Sequence, residues 1–87
     1  MIVGKVSGQI TMTINHHAYD GRTLLIVDRL NPEGEPSGGY LIAVDSIGAG
    51  AGQMVLVVDE GNGAQQILGC PGGPIRSVVV GIIDEIA

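Results

Sequence analysis

The sequence contains no tryptophan or phenylalanine, only two tyrosines, a single cysteine, and charged side chains at just 15% of its positions. Each shortage removes a class of explanation. Without large aromatics, an interior has to be assembled from Val, Ile, Leu, Ala and Gly. A lone thiol, Cys70, rules out an internal disulfide framework. Four basic residues scattered among nine acidic ones, for a formal net charge of −5, argue against nucleic acid. Displacing counterions from phosphates takes clustered Lys and Arg, and so few aromatics make no platform for stacked bases. No apolar run approaches the roughly 18 residues that cross a bilayer, so no membrane span is expected. The opening Met1-Ile-Val-Gly-Lys5 leads straight into an alternating pattern rather than a secretory leader. The expectation is a soluble, cytoplasmic chain.

The scarcity of charge has a further consequence. Ordinary soluble domains carry about 25% charged residues, and a chain of 87 residues forms one small domain, 1–87, with much surface for its volume. Too little charge to coat that surface implies that part of it is covered by other subunits. An oligomer is expected.

What is present reads as strands. Ile2, Val6, Ile10, Met12 and Ile14 fall on one side of a period-two pattern, with Lys5, Ser7, Gln9, Thr11 and Thr13 on the other. Gly4 and Gly8 sit on the apolar side, where missing side chains let a long strand coil, as closing a small barrel requires. After a polar connection, Asn15 to Arg22, a second strand runs from Thr23 to Leu30. Asn31-Pro-Glu-Gly34 has a type I turn signature, extended by Glu35 to Gly39. Tyr40 to Asp45 completes the hairpin, and Gln53 to Glu60 makes a fourth strand. Asn62 to Leu68 is the one short helix expected, with Asn62 as its cap and Gly69 as its stop. Ser77 to Ile86 is a fifth strand, apolar on both faces, hence central in a sheet or at a subunit contact. Five short strands and a small helix predict an all-β, OB-like barrel, closed or partly open.

The third and fourth strands are joined by Ser46-Ile-Gly-Ala-Gly-Ala-Gly52. Its glycines invite comparison with a dinucleotide fingerprint. The spacing is GxGxG rather than GxGxxG, and Met54 to Val58 beyond it are β-branched strand instead of a phosphate-holding helix N-terminus. Asp59 comes too early to be the ribose acid. Nucleotide binding is therefore set aside. The glycines fit a backbone role instead: positive φ angles, close approach, and tight packing where several subunits converge.

Catalytic vocabulary is thin. His16 and His17 point opposite ways on extended chain, with only Asp20 nearby, short of the three or four ligands of a zinc site. Cys70, between Gly69 and Pro71, has no neighbouring base to activate it. Asp45, Asp59, Glu60, Asp84 and Glu85 lie near strand ends, where carboxylates are more often solvated or bonded to loop N–H groups than set up as an acid–base pair. No catalytic residue, metal ligand set or cofactor site is expected, and the chain does not read as an enzyme.

Four stretches together carry a resemblance: Val27 to Pro36, the segment Ala43-Val-Asp-Ser-Ile-Gly-Ala-Gly50, and the Val-rich strands Val55–Val58 and Val80–Asp84. The sequence resembles the bacterial microcompartment vertex proteins, the EutN/CcmL family, over essentially its whole length. The resemblance implies an OB-like barrel assembling as a homopentamer that caps the vertices of an icosahedral shell tiled by hexameric shell proteins. It implies no catalytic residues. Within that frame, Ser46, Ile47, Gly48, Ala49, Gly50, Ala51 and Gly52 are expected beside the five-fold axis. The chain departs from the family pattern at Asn15, at His17, at Gly61 to Gln65, and at Arg76. Gln65 and Arg76 suggest an exchange coupled across one contact. The rival readings are a free-standing OB module that binds a ligand or oligonucleotide, and a small acid–base enzyme with a polar pocket at a subunit boundary.

Overall fold

A computed structural model describes residues 1–10, 23–60 and 76–84. The short helix expected over Asn62 to Leu68, the connections 15–22 and 70–74, His16, His17, Asp20, Cys70, Glu85 and the expected continuation of the first strand through Met12 and Ile14 lie outside these residues.

The described chain forms β1 (Ile2–Ile10), β2 (Thr23–Leu30), β3 (Pro36–Asp45), β4 (Met54–Asp59) and β5 (Ser77–Ile82). They close into a barrel in the order β1-β2-β3-β5-β4. Every pairing is antiparallel except β3 with β5, which is parallel and spans only Val44–Val78 and Asp45–Val79. Closure removes the free edges of an open sheet. The short β3–β5 seam is the place where closure is thinnest.

The interior is made of small residues, as the missing aromatics require. Val6, Leu25, Val27, Ala43, Ala49, Val55, Val57 and Val79 form one buried cluster, with Ile2 and Leu41 packed against it. Gly4 is dictated by this packing. A Cβ there would collide with Val27 Cγ1 and stand 2.9 Å from the Asp28 carbonyl oxygen. Leu25 is 2% exposed and fills the largest share of the cluster. We expect Leu25→Ala to lower unfolding free energy by about 2–5 kcal/mol, the sum of lost transfer energy and the cavity left behind. Urea denaturation checks this, and a loss under about 1 kcal/mol would mean that the barrel collapses around the gap.

Bulges and turns set the details. β1 alternates from Gly4 to Val6, but a register shift between Val6 and Gly8 sets Ile10 opposite Leu24, whereas Val6 stands opposite Val27. Ile10 thus belongs to the opposite face from Val6, correcting the single apolar side expected from the period of two. The bulge inserts one unpaired residue and reverses the phase. At the other hairpin end, the Asn31 carbonyl accepts from the Gly34 N–H at 2.9 Å, and Asn31 Oδ1 accepts from the N–H groups of Glu33 and Glu35 at 3.1 and 2.9 Å. Gly34 has φ +82°, completing a type I turn with its following bulge. β3 begins at Pro36, earlier than expected. Leu30 pairs with Pro36 and Asp28 with Tyr40, so the glycine pair 38–39 is an irregularity inside the strand rather than more turn.

β5 ends at Ile82, short of the expected Ile86. Its last described ladder bond runs from the Ile83 N–H to the Met54 carbonyl, at the first residue of β4. Val78 and Val79 are both fully buried, although they face opposite ways. Val79 points to the interior cluster, and Val78 stands in an outer row beside Val44, which in turn pairs with Leu24. Both valines are thus covered within one chain, without a neighbouring subunit.

Candidate assembly site at the 46–52 connection

The connection from β3 to β4 is held from three sides. Asp45, the last residue of β3, turns one carboxylate oxygen back over the loop. Its Oδ1 accepts from the N–H groups of Ile47, Gly48 and Ala49 at 3.0, 3.0 and 3.2 Å. An acceptor-only carboxylate can satisfy three donors that no strand partner reaches. The Ser46 hydroxyl donates to the Val79 carbonyl at 2.5 Å, fastening the loop to β5. The Gly52 N–H donates to the Val6 carbonyl at 2.7 Å and the Val6 N–H to the Gln53 carbonyl at 2.9 Å, fastening it to β1.

The turn between these anchors closes on itself. The Gly50 N–H donates to Gln53 Oε1 at 2.6 Å, and the Gln53 N–H donates back to the Gly50 carbonyl at 3.1 Å. Gly48 and Gly52 have φ of +79° and +88°, which L side chains rarely adopt. Gly50 does not share that conformation, and a Cβ on it would meet only Gln53 Oε1, at an ordinary 3.7 Å. Its lack of a side chain is unexplained by the single barrel.

Of the seven residues expected to face neighbouring copies, six are exposed: Ser46, Ile47, Gly48, Gly50, Ala51 and Gly52. Ala49 is buried in its own subunit's core cluster. Sequence reasoning missed this inward turn, and missed Gln53 as a loop clamp by assigning it to the strand. It anticipated that strand-end acids bond loop N–H groups, which is what Asp45 does.

The other described acid with a resolved environment is Asp59. The Ser77 hydroxyl donates to Asp59 Oδ1, and the Arg76 Nε lies 3.4 Å from the same oxygen. Arg76 is thus bound to Asp59 across β4 and β5; Gln65, its expected exchange partner, lies outside the described residues. The Ser77 bond and then the Arg76 charge hold the Asp59 carboxyl below the usual carboxylate range, against an opposing effect of burial. A depressed folded-state value means that the contribution to stability is present at neutral pH and is lost as pH falls through the folded value. We expect the melting temperature of the wild type to fall more steeply than that of Asp59→Asn below about pH 4. Parallel curves would show that the clasp contributes nothing.

At the end of the barrel away from the 46–52 connection, an open groove of about 580 Å³ lies between the start of β1 and the β2–β3 hairpin. Among the described residues lining it, Arg29 carries the one charged side chain. Among the described residues, no three His, Cys, Asp or Glu side chains converge as metal ligands. Nor is any helix of those residues long and apolar enough to cross a membrane.

The closed strand order β1-β2-β3-β5-β4 defines an OB-like barrel, here carrying a clamped, exposed glycine loop. Its relatives specify which. The family model "Ethanolamine utilisation protein EutN/carboxysome" matches residues 1–84, and the chain belongs to this EutN/CcmL family. The bacterial microcompartment shell vertex protein EutN of Escherichia coli K12 is 40% identical over 86 residues, covering 99% of this chain and 90% of EutN. The solved structure of the pentameric microcompartment shell protein GrpN from Rhodospirillum rubrum superposes with a TM-score of 0.86 at 36% identity, covering 100% of this chain and 99% of GrpN. That of Gloeobacter violaceus CcmL superposes with a TM-score of 0.90 at 31% identity, covering 100% and 89%. These relatives are structural shell proteins rather than enzymes.

Proposed function

We propose that this chain is a structural shell protein that assembles as a homopentamer and caps the vertices of an icosahedral bacterial microcompartment in the cytoplasm. The observation that carries this reading is the full-length likeness to the pentameric shell protein GrpN, which leaves almost no part of either chain unmatched. The physical reason for five is curvature. A sheet of hexamers is flat, and closing it takes twelve five-fold positions, as in any icosahedron. The partners are therefore four further copies of this chain and the hexameric shell proteins around each vertex.

Within the pentamer, the connection from Ser46 to Gly52 faces the five-fold axis. Two observations support that assignment: Gly50 is bare where its own barrel would accept a side chain, and the loop is clamped by Asp45 and Gln53 in one shape. A rigid loop of small residues suits a point where five copies meet. The free-standing ligand-binding alternative gains no support from the described barrel surface, which exposes only one large aromatic, Tyr40.

The test is location. Shells assembled from facet proteins and a tagged copy of this chain should carry the tag at five-fold vertices in cryo-electron micrographs. Tags spread over the facets, or confined to the lumen, would contradict the reading.

A further inference from the structure

A ring with five-fold symmetry needs two different surfaces on every chain, because each subunit meets one neighbour with its front and the other with its back. Among the described residues, the exposed large hydrophobics are Met1, Tyr40, Ile42, Ile47 and Ile82. Met1 lies at the groove end of the barrel. The other four fall in two separate places.

The first is the outer face of β3. Tyr40 is 69% exposed and Ile42 49%. Register sets Tyr40 beside Asp28 and Ile42 beside Ile26. Ile26 faces Gly8 on β1, which adds no side chain to cover it. An apolar face thus runs across two strands, bounded on one side by the polar row of Asp28 and Lys5. On its far edge β3 bonds to β5 only at Val44 and Asp45, so Pro36 to Ala43 have no partner strand there among the described residues.

The second is the end of the barrel that carries the 46–52 connection. Ile47 is exposed on the loop whose N–H groups Asp45 caps. Ile82 stands opposite Val55 at the start of β4, at the same end. Both are more than two-fifths exposed. Exposed apolar side chains gathered in patches mark contact surfaces, and charge is sparse enough in this sequence that little else screens them.

We propose that these two patches are the front and back of one subunit contact: the β3 face, Tyr40 and Ile42, of one copy packs against Ile47 and Ile82 of the next. The occupant is a second copy because the full-length relative GrpN is pentameric. Like-with-like pairing of either patch is a two-fold contact that stops at a dimer, whereas β3 against the loop end propagates and closes a ring. The proposal rests on the pentamer reading above and adds which surfaces make it.

The experiment exploits this front-and-back logic. Tyr40→Lys disables only the front and Ile47→Lys only the back. Loss of a central aromatic or aliphatic anchor weakens a contact roughly thirtyfold or more, so each variant alone should be monomeric in native mass spectrometry at micromolar concentration. Mixed one to one, they retain one intact front and one intact back, and should give a heterodimer that goes no further. Ile42→Lys with Ile82→Lys repeats the test with the other member of each patch, and circular dichroism of every variant reports its fold. A readout that needs no substitution is hydroxyl-radical labelling of the wild type, in which Tyr40 should label several-fold more slowly in the ring than after dilution to monomer. Variants that remain pentameric, mixtures that stay monomeric, or equal labelling of Tyr40 in both states would overturn the assignment while a pentameric wild type keeps the vertex reading. A wild type that is not pentameric sinks that reading itself.

Discussion

Gly50→Val should leave the barrel folded and abolish the pentamer. Inside one subunit the substitution is tolerated, since Gly50 does not use a left-handed backbone and its Cβ would meet only Gln53 Oε1 at 3.7 Å. A loop position of this kind changes stability by about 0.5 kcal/mol or less. Around a five-fold axis the same change adds five branched side chains to one point. Overpacking costs about 1–3 kcal/mol at a single site, and here it recurs in every copy. The contrast is Gly52→Val, at φ +88°, where backbone strain of about 1–3 kcal/mol falls on the barrel itself. Thermal unfolding paired with native mass spectrometry separates the two. If Gly50→Val forms pentamers as readily as wild type, the loop is a turn and does not line the axis.

Shells made without this chain should fail to close. Facet hexamers alone tile flat or singly curved surfaces, so the expected products are sheets, tubes or elongated bodies that leak small molecules. The joint between a vertex pentamer and its surroundings can be weak at each contact, because five contacts made at once multiply in effect. An isolated pentamer should therefore bind a single hexamer poorly and still be needed for sealing. Dye-release from purified shells measures this. Closed, regular bodies as impermeable as those containing the chain would remove the vertex role and favour a screen for ligands instead.

Most of the fold was legible because local pattern and tertiary structure agree. β2 follows its apolar run from Thr23 to Leu30, and Asn31, Pro32 and Gly34 supply turn chemistry that needs no distant partner. The expected OB-like barrel of five strands is the one found. The misses are places where a distant contact decides. The bulge at Ser7 breaks β1's alternation and reverses the face of Ile10, and it is visible only in the register against β2. β3 starts at Pro36 because Leu30 lies opposite; the Gly38-Gly39 pair alone reads as loop. β5 stops near Ile82 because β4 begins at Met54. At the candidate site, the glycine loop was visible, but the inward turn of Ala49 depends on the Asp45 cap pulling the chain over the barrel mouth. Exposure of Tyr40, Ile42 and Ile82 was hidden for a simpler reason: apolar residues in a strand pattern look alike whether they face the core or a neighbour.

The expectations for Gly50 and for shell closure rest on the number of copies in the ring. Native mass spectrometry of the unmodified protein at micromolar concentration tests that number directly. The account predicts one dominant species at five times the 8.9 kDa chain mass, stable without added ligand. A monomer, or a ring of six, would contradict it.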